Sequence, residues 1–199
     1  MVSPDIARPL LEHIARYVPL TGEDTSRLLA KASHRKYLKG QYVVQQGDVC
    51  RFENFVLSGC LKTFYVDEGG QEHIIMFAVE DWWTGDLGSF LNQTPAQYNV
   101  QCLEATSLLQ FTHDDLEVLY REVPTLERFF RIIIQRAYVA LVRRLVANLS
   151  LSARERYMGF CEQYPDIERR VPQYMIASYL GVTKEFLSKI RSELAKGES

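Results

Sequence analysis

The segment from Gln173 to Ser192, QYMIASYLGVTKEFLSKIRS, constrains the fold most, because it meets several separate steric requirements at fixed spacings. Counted from Gln173, Ala177 takes the fifth position, where two crossing helices leave room only for a small side chain. Gly181 takes the ninth, where the turn between the helices needs a positive φ. The positions expected to be buried are all apolar: Ile176, Leu180, Val182, Leu187 and Ile190. The pattern predicts a helix-turn-helix, whose second helix enters the major groove of DNA.

Polar residues on the second helix of this motif form one face. Glu185, Ser188 and Lys189 are spaced three and four residues apart, and Lys184 lies beside them at the amino end, the part that reaches base edges. Glutamate can accept from cytosine, lysine can donate to guanine, and serine can contact a base or a phosphate. A solvated face with a Glu185–Lys189 ion pair is the alternative. The predicted DNA-contacting residues are Thr183, Lys184, Glu185, Ser188, Lys189 and Arg191.

The first 115 residues have the pattern of a small β roll. Short runs rich in β-branched and aromatic residues alternate with turn signals between residues 42 and 112. The turn signals are Lys39-Gly40, Gly47-Asp48, Ser58-Gly59, Gly69-Gly70 and Thr84-Gly85. Two helices, predicted over residues 5–18 and 22–33, precede the strands, and Thr21 with Asp24 forms a capping signal for the second. The fold class predicted is α+β, with a jelly-roll-like β roll (a double-stranded β-helix) and flanking helices.

Residues 125–149 predict one long helix that is apolar over more than one face. Pro124 suits its first turn, and its length is roughly 37 Å. One side can lie on the roll, and the other predicts pairing with a second copy of the chain. A core helix within a monomer is the alternative. The residues predicted for dimerisation are Phe130, Ile134, Ala137, Leu141 and Leu145. A short helix around residues 116–120 precedes it, and helices over 152–163, 172–180 and 183–195 follow.

Charge is distributed unevenly along the chain. The first 115 residues carry 9 lysines and arginines against 15 aspartates and glutamates, whereas the remainder carry 14 against 10. Such an asymmetry favours a carboxyl-terminal half that faces nucleic acid. The predicted division is a sensor domain over 1–115, connecting and dimerisation helices over 116–149, and a DNA-binding domain over 150–199.

Several function classes lack their sequence signatures. The four cysteines form no C-x-x-C pair, the four histidines form no H-x-x-x-H pair, and neither a G-x-S-x-G nor a G-K-[ST] segment occurs. We therefore expect no enzyme, no metal and no bound cofactor, and buried free thiols. Redox sensing through Cys50, Cys60 or Cys102 stays an open alternative. No signal segment and no long apolar run is present, so we expect a cytoplasmic protein without a membrane partner.

A glycine-rich segment, GDLGSFLNQTPAQYNVQ from Gly85 to Gln101, marks a candidate ligand site. Backbone N–H groups of such a segment can cradle a phosphate, and Asp86 can accept from a sugar hydroxyl. A phosphate site normally includes a cation, yet no lysine or arginine follows before Arg121. The candidate pocket residues are Gly85, Asp86, Leu87, Gly88, Gln97, Tyr98, Leu141 and Val142.

The order of β roll, glycine-acid segment, long helix and terminal helix-turn-helix resembles the Crp/Fnr superfamily of bacterial transcription regulators across essentially the whole chain. The segment TKEFLSKI is similar to that family's recognition helix, with Lys189 where arginine is usual. GDLGSF is similar to the family's phosphate-binding cassette, with Asp86 at the acid that holds the ribose. The resemblance implies a homodimer on palindromic double-stranded DNA, contact with RNA polymerase, and a small-molecule effector whose identity is left open.

The chain departs from this family where cyclic AMP would be held. The arginine-serine pair that clamps the cyclic phosphate falls at Ala96-Gln97, and the pair that meets adenine falls at Leu141-Val142. We therefore predict a degenerate cassette that does not bind cyclic AMP. A ligand-binding module that acts through protein contacts rather than DNA is the alternative function.

Overall fold

A computed structural model describes residues 2–197. Its helices are α1 (Pro4–Ala15), α2 (Gly22–Lys31), α3 (Leu87–Asn92), α4 (His113–Glu122), α5 (Pro124–Ser150), α6 (Ala153–Gln163), α7 (Pro165–Arg170), α8 (Gln173–Leu180) and α9 (Lys184–Gly197). Its strands are β1 (Ser33–Tyr37), β2 (Tyr42–Val44), β3 (Phe52–Ser58), β4 (Leu61–Val66), β5 (Glu72–Ala78), β6 (Trp83–Thr84), β7 (Asn99–Cys102) and β8 (Thr106–Thr112).

The strands form two four-stranded antiparallel sheets, in the orders β1-β8-β3-β6 and β2-β7-β4-β5. Neighbours such as β3 and β8 are distant in sequence, as expected for a roll rather than a meander. The turn at Gly59 needs glycine, because φ is +115° and an added Cβ would lie 2.4 Å from the Thr106 hydroxyl oxygen. Gly40, Gly47 and Gly70, at predicted turns, also have positive φ. The α+β roll with flanking helices is therefore confirmed.

The sequence-based prediction is wrong at several boundaries. The helix predicted over 5–18 ends at Ala15, and the helix predicted over 22–33 ends at Lys31, because Ser33–Tyr37 pairs with β8 along the sheet edge. Strands β1 and β6 and helix α7 were not predicted. All three are short, so their residues show little periodicity. The capping box between Thr21 and Asp24 is present as predicted.

Two apolar cores organise the chain. The first joins α1, α2 and α4 and the start of α5 to the roll, with Phe55, Phe111 and Phe129 fully buried at its centre. The second surrounds Ile176 and joins the carboxyl-terminal helices to Phe64 and Phe77 of the roll. The helix-turn-helix therefore packs against the outer side of the β4–β5 hairpin.

The three-part division at residues 115 and 149 stays a proposal. Its outermost residues, 1, 198 and 199, lie outside the described part of the chain. Between residues 2 and 197, no helix is both long enough and apolar enough to cross a membrane.

Candidate nucleic-acid interface and sensor cassette

The helix-turn-helix forms with the geometry that its sequence demands. Ala177 is buried where α8 meets α9, and Gly181 ends α8 with a φ of +68°. The Val182 N–H donates to the Ala177 carbonyl across this turn. Buried side chains hold the two helices on the second core: Ile176, Leu180, Leu187 and Ile190, with Val182 half-buried.

The predicted contact residues of α9 face solvent. Glu185, Ser188 and Lys189 are exposed on the side away from Leu187 and Ile190. Lys184 is exposed at the amino end of the helix. This face therefore presents one acceptor, one hydroxyl and two cations to whatever approaches the helix.

Two of the predicted contacts also have local roles. The Thr183 hydroxyl accepts from the Phe186 N–H at 3.2 Å and so caps α9. The Arg191 guanidinium lies 3.9 Å from the Glu168 carboxylate of α7. Helical spacing places Arg191 beside Lys184 rather than beside Glu185. Arg191 is thus on the flank of the exposed face.

Two exposed aromatic residues were not singled out from the sequence. Phe186 of α9 is 48% exposed, and Tyr174 of α8 is 52% exposed. A large apolar side chain that is half exposed beside a polar face suits a contact in a complex. The sequence offered one signal for Phe186, which is an apolar residue next to the polar face of the second helix.

Polar side chains join the helix-turn-helix to the edge strand β5. The Ser178 hydroxyl accepts from the Ile74 N–H and donates to the Glu72 carbonyl, both at 3.1 Å. Arg144 of α5 donates to the Ile75 carbonyl and lies over the Tyr179 ring. These bonds satisfy backbone groups that an edge strand would otherwise leave open.

An ion-paired cluster lies at a second point of this contact. Arg170 of α7 pairs with Glu80 and Glu104 of the roll. Glu80 also accepts from the Gly59 N–H at 2.8 Å, which connects the cluster to the turn at Gly59. The position of the carboxyl-terminal helices relative to the roll is therefore held by both apolar and charged contacts.

The glycine-acid segment is a short helix rather than an open loop. Asp86 is buried and caps α3, accepting from the Ser89 N–H at 3.0 Å. Its second carboxylate oxygen accepts from the Gln97 N–H at 2.7 Å. Asp86 thus closes the segment by tying its two ends together, in a role that the sequence interpretation did not include.

The glycines of the segment do not use the backbone freedom that is particular to glycine. Neither Gly85 nor Gly88 has a positive φ, and an added Cβ would make only ordinary contacts, at 3.6 Å and 3.5 Å. Leu87 is exposed on the first turn of α3.

The remaining predicted pocket residues do not form one enclosed site. Gln97 is exposed and Tyr98 is half-buried, while Leu141 and Val142 are exposed on α5. Ala96, at the position of the family's arginine, is buried and pairs with the loop at Gly47 and Asp48 through two backbone hydrogen bonds. Ala96 therefore supplies no cation at this position.

A buried acid, Glu53, lies beside the cassette. Its carboxylate would be 3.6 Å from a Cβ added to Gly85, and the residue is 8% exposed. Burial, reinforced by the negative charge of Asp86, raises the pKa of Glu53 to about 8. The environment of the cassette therefore disfavours negative charge.

We expect Glu53→Gln to stabilise the protein at pH 8.5 by roughly 2–4 kcal/mol and to have little effect near pH 4.5. The folded-state pKa of about 8 lies above the ordinary value of 4.5. The folded state therefore keeps its full stability below pH 4.5, where Glu53 is neutral in both states. It loses stability as the pH rises towards 8, because Glu53 then ionises more readily in the unfolded chain. Urea unfolding across this range measures the difference. Glu68→Gln, in an exposed turn, is the control. If the free energy of unfolding depends on pH in the same way for the parent and for Glu53→Gln, the pKa of Glu53 is not raised.

The cysteines are free and in apolar surroundings. Cys50, Cys60 and Cys102 are buried, and Cys161 is half-buried. Burial raises the pKa of each thiol, that of Cys60 to about 12. The expectation of buried free thiols therefore holds for Cys50, Cys60 and Cys102 but not for Cys161. Thiols that resist ionisation are unreactive, which disfavours a redox role.

The long helix α5 leaves much of its apolar surface uncovered within one chain. Leu126 and Phe129 are buried against the roll, but Ile134, Leu141 and Leu145 are 46%, 61% and 58% exposed. Ala137 is also exposed. Phe130, predicted for the dimer face, instead contacts Trp83 and Tyr120 in the chain's own core. The exposed α5 face consists of Ile134, Ala137, Tyr138, Leu141 and Leu145.

Comparisons with known proteins agree with this architecture. Residues 34–122 match the family model of the cyclic nucleotide-binding domain. The transcriptional activator protein anr of Pseudomonas aeruginosa is 28% identical over 169 residues, covering 78% of this chain and 68% of that protein. FnrA of Stutzerimonas stutzeri is 29% identical over 171 residues, with the same coverage.

Among solved structures, the c-di-GMP responsive regulator CLP of Xanthomonas campestris has the same fold. It superposes with a TM-score of 0.73 at 14% identity, covering 89% of this chain and 93% of that one. The roll, the long helix and the carboxyl-terminal helices thus occur together in the same order as in these relatives. The chain therefore contains a cyclic nucleotide-binding domain and is similar to transcriptional activators of the Crp/Fnr type.

Proposed function

We propose that this protein is a homodimeric, DNA-binding transcription regulator that recognises a palindromic operator through α9. The observation that supports this most directly is the solvent-facing group Glu185, Ser188 and Lys189 on the second helix of a sterically complete helix-turn-helix. The relatives are transcriptional activators by name, which is consistent with this role. Regulation through RNA polymerase follows from the family resemblance and is part of the proposal.

The flanks of α9 extend the proposed interface. Lys184 and Arg191 lie on one flank and suit the phosphate backbone. Phe186 lies on the other, where its ring suits the methyl group of thymine. Polar groups at the centre and cations at the edge are the arrangement expected of a helix in the major groove.

Selection from a random DNA library, followed by fluorescence anisotropy at several salt concentrations, tests the proposal. We expect an enriched palindrome with half-sites about one helical turn apart, ~34 Å. Binding should weaken steeply with salt, because phosphate contacts release counterions. Recovery of no enriched sequence would favour the alternative, a ligand-binding module that acts through protein contacts.

The cassette is proposed to be degenerate, and we expect no binding of cyclic AMP at physiological concentrations. A cyclic phosphate near Asp86 would meet two carboxyl groups, those of Asp86 and Glu53, and Ala96 in place of a cation. A charge-assisted contact is worth about 1.5–3 kcal/mol, so its loss weakens affinity by tenfold to a hundredfold.

Isothermal titration calorimetry with cyclic AMP and cyclic GMP measures this directly. A regulator known to bind cyclic AMP, titrated in the same buffer, shows that binding would be detected. A dissociation constant in the low micromolar range would contradict the degenerate cassette and would locate a cation elsewhere.

A further inference from the structure

A groove on the roll, away from the cassette, has the chemistry of an anion site. The groove lies where β1, β2, β3 and β8 meet, and its volume is about 530 Å³. Its lining residues include two cations, Arg35 and Lys36, and no carboxylate. This is unusual because it lies in the half of the chain where acidic residues exceed basic ones. We call this feature the β1 groove.

A chain of buried hydrogen bonds leads from the core to the β1 groove. The Asn54 side-chain amide group donates to the carbonyls of Phe52 and Thr84, each at 2.9 Å. Its oxygen must therefore act as the acceptor, and it accepts from Gln110 Nε2 at 2.7 Å. Asn54 is 0% exposed and Gln110 is 2% exposed, so both orientations are held by the protein interior.

The chain of hydrogen bonds ends at the Tyr37 hydroxyl. Gln110 Nε2 donates its second proton to the Tyr37 hydroxyl oxygen at 3.2 Å. Because the Tyr37 oxygen accepts from the buried Gln110, the hydroxyl proton can be donated to a ligand in the groove. Tyr37 lines the groove, and strand alternation places its side chain on the same face of β1 as Arg35, with Lys36 on the other face.

The two cations have no competing partner within residues 2–197. Neither Arg35 nor Lys36 takes part in an ion pair there, and both are exposed. The Tyr42 ring and the amide of Gln45 complete the wall of the groove. An aromatic surface beside the Tyr37 hydroxyl and the Arg35 guanidinium suits a flat molecule that carries an oxyanion.

We propose that the β1 groove binds a small aromatic or planar organic anion through Tyr37 and Arg35. The anionic group is a carboxylate or a phosphate, since both accept several hydrogen bonds. None of the cassette residues from Gly85 to Tyr98 lines the groove, so this site is separate from the cassette. It does not depend on the proposed DNA-binding function.

Titration of the 199-residue chain with phenyl phosphate, benzoate and inorganic phosphate tests the proposal, by calorimetry and by amide chemical shifts. We expect saturable binding of at least one aromatic anion, with a dissociation constant of about 1 mM or tighter. Phenyl phosphate and benzoate distinguish phosphate from carboxylate, and inorganic phosphate tests the need for a ring. The amides that shift should include those of Lys36, Tyr37 and Gln45.

Tyr37→Phe removes only the hydroxyl and should weaken binding about tenfold, the lower end of the range for a hydrogen bond to a charged group. Arg35→Gln should weaken it further. Tyr65→Phe and Lys196→Gln, which do not line the groove, should bind like the parent. Unchanged circular dichroism shows that each variant is folded.

Three results would overturn the proposal. The first is the absence of saturable binding at tens of millimolar of every probe. The second is a set of shifts confined to α9 or to the cassette. The third is an equal loss of affinity in Tyr37→Phe and Tyr65→Phe. All measurements are made without DNA, so they are independent of whether an operator is found.

Discussion

Replacing Leu141 and Leu145 of α5 together with glutamate should convert the proposed dimer into a monomer and weaken operator binding at least a hundredfold. The two side chains are 61% and 58% exposed in the single chain and belong to the exposed α5 face. Full burial of a leucine contributes about 1.5–3 kcal/mol, and a dimer would bury four of them. The substitutions also place like charges opposite their own copies across a two-fold axis.

Operator binding should follow the loss of the dimer because the two half-sites would no longer be bound by one particle. The second contact then loses the high effective concentration that linkage provides. Multi-angle light scattering measures the mass, and anisotropy with full and half operators measures affinity. Leu38→Glu, at a leucine 69% exposed near β1, is a matched control that should leave both unchanged. A variant that stays dimeric would show that α5 is not the interface.

Alanine substitutions on α9 should separate base recognition from overall affinity. Glu185→Ala should relax the preference at one base pair in each half-site, because a good base contact contributes about 1–3 kcal/mol of discrimination. Lys189→Ala should weaken binding to every sequence and reduce its salt dependence, because a cation near the DNA is lost. In a dimer each effect occurs twice, so a Lys189→Ala loss of tenfold or more is expected.

The measurement is anisotropy on the selected operator and on single-base variants of it, at two salt concentrations. Glu193→Ala and Lys196→Ala, further along the same helix, are controls of the same residue types. If Glu185→Ala and Lys189→Ala both bind as tightly and as selectively as the parent, α9 is not the recognition helix.

The segments that sequence predicted best are those whose requirements are local. The small residue at Ala177, the positive φ at Gly181 and the apolar positions between them are needed by one turn and its two helices. Such requirements act over a few residues and leave a pattern at fixed spacing. The same holds for the glycine turns of the roll and for the width of the apolar surface on α5.

Positions whose role depends on distant contacts could not be predicted. Asp86 resembled a ligand-binding acid, but its partners include Gln97, which only the folding of the segment brings near. The helical spacing predicted Phe130 on the dimer face, but it packs against Trp83 of β6 in the core. The raised pKa of Glu53 likewise needs the burial that the complete roll provides.

The sequence by itself therefore determined the order of roll, long helix and helix-turn-helix, and the residues that α9 turns towards solvent, because helix and turn geometry are set by neighbouring residues. The tertiary structure alone decided how the helix-turn-helix is docked, through Ser178 and Arg144 on the edge of β5. It also decided that Tyr37, Gln110 and Asn54 form one polarised chain. These residues are far apart in sequence, and only the pairing of β1, β8 and β3 places them side by side.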